Sequence, residues 1–261
     1  GDESHIMYVW LDALTNYVTA VGNPNTNTEL WKFWPANLHM VGKDILRFHT
    51  VYWPAFLMAA GIEPPKRVFA HGWWTNEGQK ISKSIGNVID PFELVEKYGL
   101  DPVRYFLLRQ VPFGNDGDFS HQAMVHRLNG DLANGLGNLC QRVMSMIFRN
   151  CDGKIPDSHL LNETDRKFVT AISDSLPDLR TLMLSQAFHQ ALELIWRHVA
   201  NANRYVDEQA PWELRKNDPA RMETVLYTLA EAIRNIAILS SPFMPNTMDK
   251  VFEILGLGEE E

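Results

Sequence analysis

Cysteine is scarce. The chain has two in 261 residues, Cys140 and Cys151, eleven positions apart and in no Cys-x-x-Cys pair. That argues against a disulfide framework and against a cysteine-built zinc site in this chain; free thiols are the expected fate of both. Long apolar runs are missing too: none reaches the roughly 18 residues that a membrane-spanning helix needs, and no signal-peptide layout opens the sequence. No membrane role and a cytoplasmic location are therefore expected. Basic charge is in deficit, with 24 Lys and Arg against 32 Asp and Glu, for a net charge of −8. The residues before and after Ser120 are each net acidic. This argues against a general nucleic-acid binder working through a basic footprint; RNA would have to be held by local groups and base stacking. What is present is a folding composition, 45% hydrophobic and 21% charged, enough for one large core or two smaller ones.

The hydrophobic pattern changes character near residue 120. Before it, short β-rich runs alternate with helical ones. Ile6 to Trp10 reads as a buried strand, Leu11 to Val21 as a helix and residues 22–37 as a loop rich in Gly, Asn, Pro and Thr. Leu38 to Gly42 is a second strand, Asp44 to Ala60 a helix with Asp44 as its N-cap, and Arg67 to His71 a third strand. Strand–helix alternation implies a doubly wound parallel sheet with right-handed crossovers, whose ligand site lies outside the carboxyl ends of the strands. Those ends are Trp10–Asp12, Gly42–Asp44 and His71–Trp74. After residue 120 the period is helical. One stripe runs through Val125, Leu128, Leu132, Leu136, Leu139, Val143 and Met146, and another through Phe188, Leu192, Ile195, Val199 and Ala202 between Ser185 and Glu208. Asp218-Pro219 opens a third, through Val225, Leu229, Ile233 and Ile236, and further helices fall near 164–182 and 246–256. The expected fold is thus α/β followed by an all-α antiparallel helix bundle.

The strongest chemical signal is Lys80-Ile81-Ser82-Lys83-Ser84, flanked by Gly78 and Gly86. Two lysines three apart on a Gly-flanked loop can neutralise charge building on a leaving pyrophosphate, and small serines let the backbone approach an anion. A lone Lys-x-x-Lys is ordinarily a solvated basic turn; this one is expected to leave the last strand of the sheet at its ligand edge. In the helical half, Asn134, Asn138 and Arg142 stand at steps of four, on a face expected to lie opposite the Leu stripe. Amides and a guanidinium in a row can read base edges and grip phosphate. Trp212, held behind Pro211, offers a stacking platform. The plainer alternative is a solvated polar face and a Trp packed between helices.

The pentapeptide is similar to the Lys-Met-Ser-Lys-Ser signature of class I aminoacyl-tRNA synthetases, with Ile81 in the Met position as an apolar anchor. Asn87-Val88-Ile89-Asp90-Pro91 and residues 99–108 resemble that family's stem-contact segment. Tyr8-Val9-Trp10-Leu11-Asp12-Ala13 and Gly42-Lys43-Asp44-Ile45-Leu46-Arg47-Phe48-His49 resemble the methionyl-tRNA synthetases. The resemblance covers essentially the whole chain. It implies the C-terminal half of a Rossmann-type catalytic domain over residues 1–85, a stem-contact segment over 86–120 and a helical anticodon-binding domain over 121–261. It implies Trp10, Ala13, Leu14, Tyr17 and His49 at a methionine pocket, with Leu14 where many members have Pro. Tyr17 or His49 would give the thioether a weak hydrogen bond. It implies Gly42, Asp44, His71 and Trp74 with Lys80 and Lys83 at the ATP site, the two lysines being the catalytic pair. Asn134, Asn138, Arg142 and Trp212 would read the anticodon.

The activity implied is ATP-dependent formation of methionyl-adenylate and transfer of methionine to its tRNA, with Mg²⁺ accompanying ATP. The family's His-Ile-Gly-His-like motif and its connective insertion are absent from the sequence. The chain alone is therefore expected to be inactive, no metal ligands are expected in it, and any zinc is expected in the connective insertion. The alternatives are a leucine, isoleucine, valine or cysteine enzyme of the same class, a non-catalytic tRNA-binding module built from the helical half, and a small-molecule nucleotidylyltransferase.

Overall fold

The computed structural model describes Ser4, residues 10–157 and residues 160–258. The chain divides into two compact units, residues 1–73 with 114–117, and residues 74–113 with 118–261.

In the first unit, α1 (Trp10–Ala20) is followed by β1 (His39–Gly42), α2 (Trp53–Ala59) and β2 (Val68–His71). β1 and β2 pair in parallel, with His39 opposite Val68 and Gly42 opposite His71. The strand–helix–strand reading holds for these elements. Residues 6–9 of the expected first strand lie outside the described residues; Trp10 itself opens α1. The loop expected over 22–37 contains a 3-10 turn at Glu29–Phe33. The core of this unit is Leu14, Val18, Trp53 and Leu57, with Trp10, Tyr17, Trp31, Trp34 and Ile62 packed against it.

The helix expected over 44–60 is broken into a 3-10 turn (Lys43–Ile45), a π turn (Phe48–Tyr52) and α2. Pro54 gives the physical reason. It has no N–H for the carbonyl four residues back and its ring crowds that carbonyl, so a wider turn ahead of it relieves the clash. The expectation that Asp44 caps this helix is corrected as well: Gly42 holds the cap position, with no side-chain cap bond. Asp44 instead turns back over Gly42, where a Cβ would lie 2.6 Å from Asp44 Oδ1. A side chain at Gly42 would push that carboxylate aside.

The second unit begins with a hairpin. β3 (Trp74–Asn76) and β4 (Gln79–Lys80) are antiparallel and joined by Glu77 and Gly78, both at positive φ (50° and 76°). β5 (Gly117–Phe119) lies on the other side of β3. The lysine loop therefore leaves β4 of this hairpin, not the last strand of the parallel sheet as expected. The cause is the two-residue turn, whose paired positive φ values reverse the chain.

Next come α3 (Pro91–Tyr98), capped by Asp90, and α4 (Leu100–Arg109). α4 is fastened to the turn before the last described helix and to that helix's first turn. Asp101, 3% exposed, accepts from Thr247 N (2.5 Å) and Asn246 Nδ2 (3.2 Å), and Arg104 donates to the carbonyls of Phe243 and Pro242.

The remaining helices are α5 (His121–Arg127), α6 (Asn138–Asn150), α7 (Glu163–Asp174), α8 (Leu176–Leu184), α9 (Phe188–Gln209), α10 (Pro211–Asn217), α11 (Pro219–Ser240) and α12 (Pro245–Ile254). They form the expected bundle. α11 packs against α6, α7, α9, α10 and α12. Asp218 caps α11, and Val225, Leu229, Ile233 and Ile236 are buried as their spacing requires. The stripe on α9 is buried from Leu192 to Ala202. The first stripe departs from expectation. Leu136, Leu139 and Val143 are buried, but Val125 is 44% exposed and Ile147 takes a core position. Residues Leu128–Gly137 form a π segment between α5 and α6. A π turn takes more residues than an α turn, so a stripe counted at the α period rotates off the core. Side chains of α9 meet carbonyls of this segment: Trp196 Nε1 donates to Asp131 O (3.0 Å) and Asn203 Nδ2 to Gly135 O (3.2 Å).

Candidate functional site

In the first unit, the face of α1 that carries Trp10, Leu14 and Tyr17 meets the π turn. Trp10 stacks on Phe48 with ring centres 4.3 Å apart, and Tyr17 lies 4.4 Å from the His39 ring. His49 is 1% exposed; its Nδ1 is 3.0 Å from Ile45 O and its Nε2 is 2.9 Å from Tyr17 Oη. A carbonyl can only accept, so Nδ1 carries the proton, and in the neutral imidazole Nε2 accepts from Tyr17. Both protons are then committed. The aromatic rings beside them are groups suited to sulfur. Ala13 is exposed, whereas Leu14 is packed into the core. Beneath them Trp53 Nε1 donates to His39 Nε2 (3.2 Å), and burial, helped by nearby His49, lowers the His39 pKa.

At the carboxyl ends of β1 and β2, Gly42 and His71 are register partners. His71 Nδ1 donates to Gly72 O at 2.9 Å, and His71 Cε1 would stand 3.7 Å from a Cβ on Gly42. Gly42, Asp44 and His71 are thus gathered at one sheet edge. The same edge holds a group that sequence reasoning missed. Asp116 accepts from Lys43 Nζ (2.6 and 2.7 Å) and from Trp73 N (2.9 Å), while Lys43 Nζ sits 4.1 Å from the centre of a Trp73 ring. The lysine hydrogen bond, followed by the Trp73 amide, holds the Asp116 carboxyl below its ordinary range. One carboxylate thereby links the residues that follow both strands. The one local hint is Gly72, whose Cβ would collide with the Asn115 backbone at 2.3 Å.

Trp74, Lys80 and Lys83 belong to the second unit. Trp74 packs beside Phe106, with ring centres 6.3 Å apart. Lys80 and Lys83 are exposed and Ile81 is half-buried, in keeping with an apolar anchor. Gly86, at φ 73°, closes the loop with its N–H to Ser82 O (3.2 Å) and Lys83 O (3.3 Å). Asp118 pins the preceding hairpin by accepting from Gly78 N (2.8 Å) and Thr75 Oγ1.

In the bundle, Asn134 is exposed within the π segment, and Asn138 and Arg142 are half-buried on α6. Arg142 and Asn138 flank the buried stripe, so the expected opposite face is only partly realised. Arg142 Nη2 is 2.5 Å from Asp207 Oδ1, and its guanidinium carbon is 5.7 Å from the centre of a Trp212 ring. Trp212, 44% exposed, stands in the first turn of α10 behind a left-handed Ala210 (φ 42°) and a buried Pro211. Arg142, Asp207 and Trp212 therefore form one cluster, of which Asp207 was not foreseen; its signal was an acidic residue on the last turns of α9. Burial pushes the Cys140 thiol up to about 11, and both cysteines are free. No group of three or more His, Cys, Asp or Glu side chains that could hold a metal ion converges among the described residues.

Residues 1–144 match the family model of class I tRNA synthetases (M), and residues 155–261 match the anticodon binding domain of methionyl tRNA ligase. The methionine–tRNA ligase of Brucella suis biovar 1 (strain 1330) is 58% identical over 98% of this chain and 50% of its own length. That of Mycobacterium leprae (strain TN) is 50% identical over 98% of this chain and 49% of its own. The solved Mycobacterium tuberculosis methionyl-tRNA synthetase in complex with methionyl-adenylate has a TM-score of 0.93 at 50% identity, covering 98% of this chain and 51% of that one. Its apo form gives 0.90 at 48% identity. The chain spans about half (50%) the length of the curated relatives it matches. With both of its halves matched to synthetase models, the chain belongs to the methionyl-tRNA synthetase family of class I tRNA synthetases.

Proposed function

We propose that this chain supplies the methionine-, nucleotide- and anticodon-recognising parts of a methionine–tRNA ligase acting in translation in the cytoplasm. The observation that carries the reading is the pair of contacts between α1 and the π turn, Trp10 on Phe48 and Tyr17 on His49. It builds an aromatic, polarizable wall from α1 and the π turn, and such a wall suits a thioether. Ala13 stands at that corner, and Leu14, packed in the core, supports it from below. Gly42, Asp44, His71 and Trp74 serve ATP. The functional division is residues 1–85 for catalysis, 86–120 for stem contact and 121–261 for the anticodon. Asn134, Asn138, Arg142 and Trp212 contact the anticodon of the methionine tRNA.

The chemistry needs no protein nucleophile. A carboxylate oxygen of methionine attacks the α-phosphorus of ATP, the bond to the bridging oxygen of the β-phosphate breaks, and pyrophosphate leaves. Lys80 and Lys83 stabilise the charge that develops on the departing phosphates, so their effect is positioning and electrostatics. A ribose hydroxyl at the 3′ end of the tRNA then attacks the aminoacyl carbonyl and AMP leaves. Mg²⁺ accompanying ATP would supply charge neutralisation on the phosphates. The chain contains no His-Ile-Gly-His-like motif, so efficient adenylate formation is not expected from it alone.

Amino-acid-dependent ATP–pyrophosphate exchange tests the reading, in a polypeptide that carries this chain at the family's full length. Exchange with methionine and not with leucine is expected. Exchange with leucine and not with methionine sinks the assignment.

A further inference from the structure

The lysine loop is held by one side chain outside the pentapeptide. Asn87 Oδ1 accepts from Ser82 N at 2.8 Å, and Asn87 Nδ2 donates to Lys80 O at 3.1 Å. Its own carbonyl accepts from Asn76 Nδ2 on β3, at 2.9 Å. The amide thus takes the place of a neighbouring strand for the backbone on both sides of Ile81, directly beside Lys80 and one residue from Lys83. Its orientation is set by the partners: turned over, the amide would face oxygen with oxygen and N–H with N–H. Lys80 is also held in the hairpin opposite Thr75; beyond it few other constraints act on the loop. Lys80, Lys83, Ser84, Ile85 and Gly86 are exposed, and the other bonds within it are the turn bonds to Gly86 and Ile85 and the contacts of Ser84 with Ser82.

We propose that Asn87 is a positioning residue for Lys80 and Lys83. By bridging Ser82 N–H and Lys80 C=O it fixes the backbone from which both lysines project toward the polyphosphate. The inference deepens the ligase reading and rests on it for its catalytic half; the bridging itself stands on the loop geometry alone. Asparagine suits the position because it offers an acceptor and a donor side by side on a short stem. Aspartate keeps the acceptor and loses the donor, alanine loses both, and glutamine sets both one methylene too far.

The experiment has two arms. In the first, this chain and its Asn87→Ala and Asn87→Asp variants are digested briefly with trypsin. Several-fold faster cleavage after Lys80 and Lys83 is expected in both, with cleavage after the exposed Lys154 unchanged as the control for global folding. In the second, methionine-dependent ATP–pyrophosphate exchange is measured on the family-length polypeptide. The kcat should fall roughly 10- to 100-fold in Asn87→Ala, while the KM for methionine and the stoichiometry of methionine binding stay as in the unsubstituted enzyme. A merely destabilised protein would lose binding sites in step with rate. Unchanged cleavage after Lys80 and Lys83 overturns the bridge. Faster cleavage with an unchanged kcat overturns the positioning role. No methionine-dependent exchange by the unsubstituted enzyme overturns the ligase reading, and the protease arm then decides the bridge by itself.

Discussion

The guanidinium of Arg142, on α6, lies 5.7 Å from the ring centre of Trp212, on α10, while the same group is paired with Asp207 at 2.5 Å. A cation is thus parked beside an exposed aromatic face without being neutralised by burial, since Asp207 keeps 63% of its side chain in solvent. A base approaching Trp212 would meet a positive group already lying over the ring. Arg142→Ala is expected to weaken binding of a methionine-accepting tRNA and to reduce the slope of log affinity against log salt by about 0.7 for one lost phosphate contact. A weaker affinity with an unchanged slope would assign Arg142 to base contact instead.

Removing either lysine of the loop should act on the chemical step. Lys80→Ala or Lys83→Ala is expected to lower kcat for methionine-dependent pyrophosphate exchange by about 10²- to 10³-fold, the size seen when one preorganised stabilising group is lost. The KM for methionine should change little. A raised KM for methionine with kcat intact would place these lysines outside the transition state.

Tyr17→Phe leaves His49 Nε2 without its donor in a side chain that is 1% exposed. An unsatisfied buried acceptor costs about 1–3 kcal/mol. The first unit contains Trp10, Trp31, Trp34, Trp53 and Trp73, whose fluorescence follows its unfolding in urea. A lower urea midpoint is expected, and an unchanged one would show that the pair contributes nothing.

Acid should destabilise the chain in two stages. Burial, then His49, lowers His39; burial, then Arg197, lowers His198. A histidine whose folded pKa lies below its unfolded value of about 6.5 contributes stability that is full above that pH and is lost as pH falls through the folded value. Asp165 follows at lower pH. Burial pushes it up, but Arg221, Tyr205 and the Asn162 amide outweigh that and hold it below the usual carboxylate range. Its contribution is present above about pH 4 and is lost as pH falls through its folded value. Urea midpoints at pH 8 and pH 5 should differ less in a His39→Gln, His198→Gln double variant than in the unsubstituted chain. An equal difference would clear the histidines.

The helical half was the more legible because each helix hides one face in a shared core. The spacings on α9 and α11 therefore translated directly into buried residues. Val125 escaped because the π segment shifts the phase of the stripe, and the carbonyls of that segment meet Trp196 and Asn203, far along the chain. The residues of the lysine loop were legible and its point of departure was not: Glu77-Gly78 reverses the chain before Lys80. Asp116 joins Lys43 across 73 positions, a pairing that no local pattern announces. Asn87 was read as part of another segment, since its contacts run backward into the loop.

Binding of a tRNA with a CAU anticodon to this chain is the measurement that decides most. It is set against the same tRNA with one anticodon base changed, and against the Trp212→Ala variant. The CAU tRNA should bind more tightly than the altered one, and the variant should lose roughly 1–3 kcal/mol of that binding together with the discrimination. Equal binding of both tRNAs by the folded chain would contradict the assignment of the helical half to the methionine anticodon.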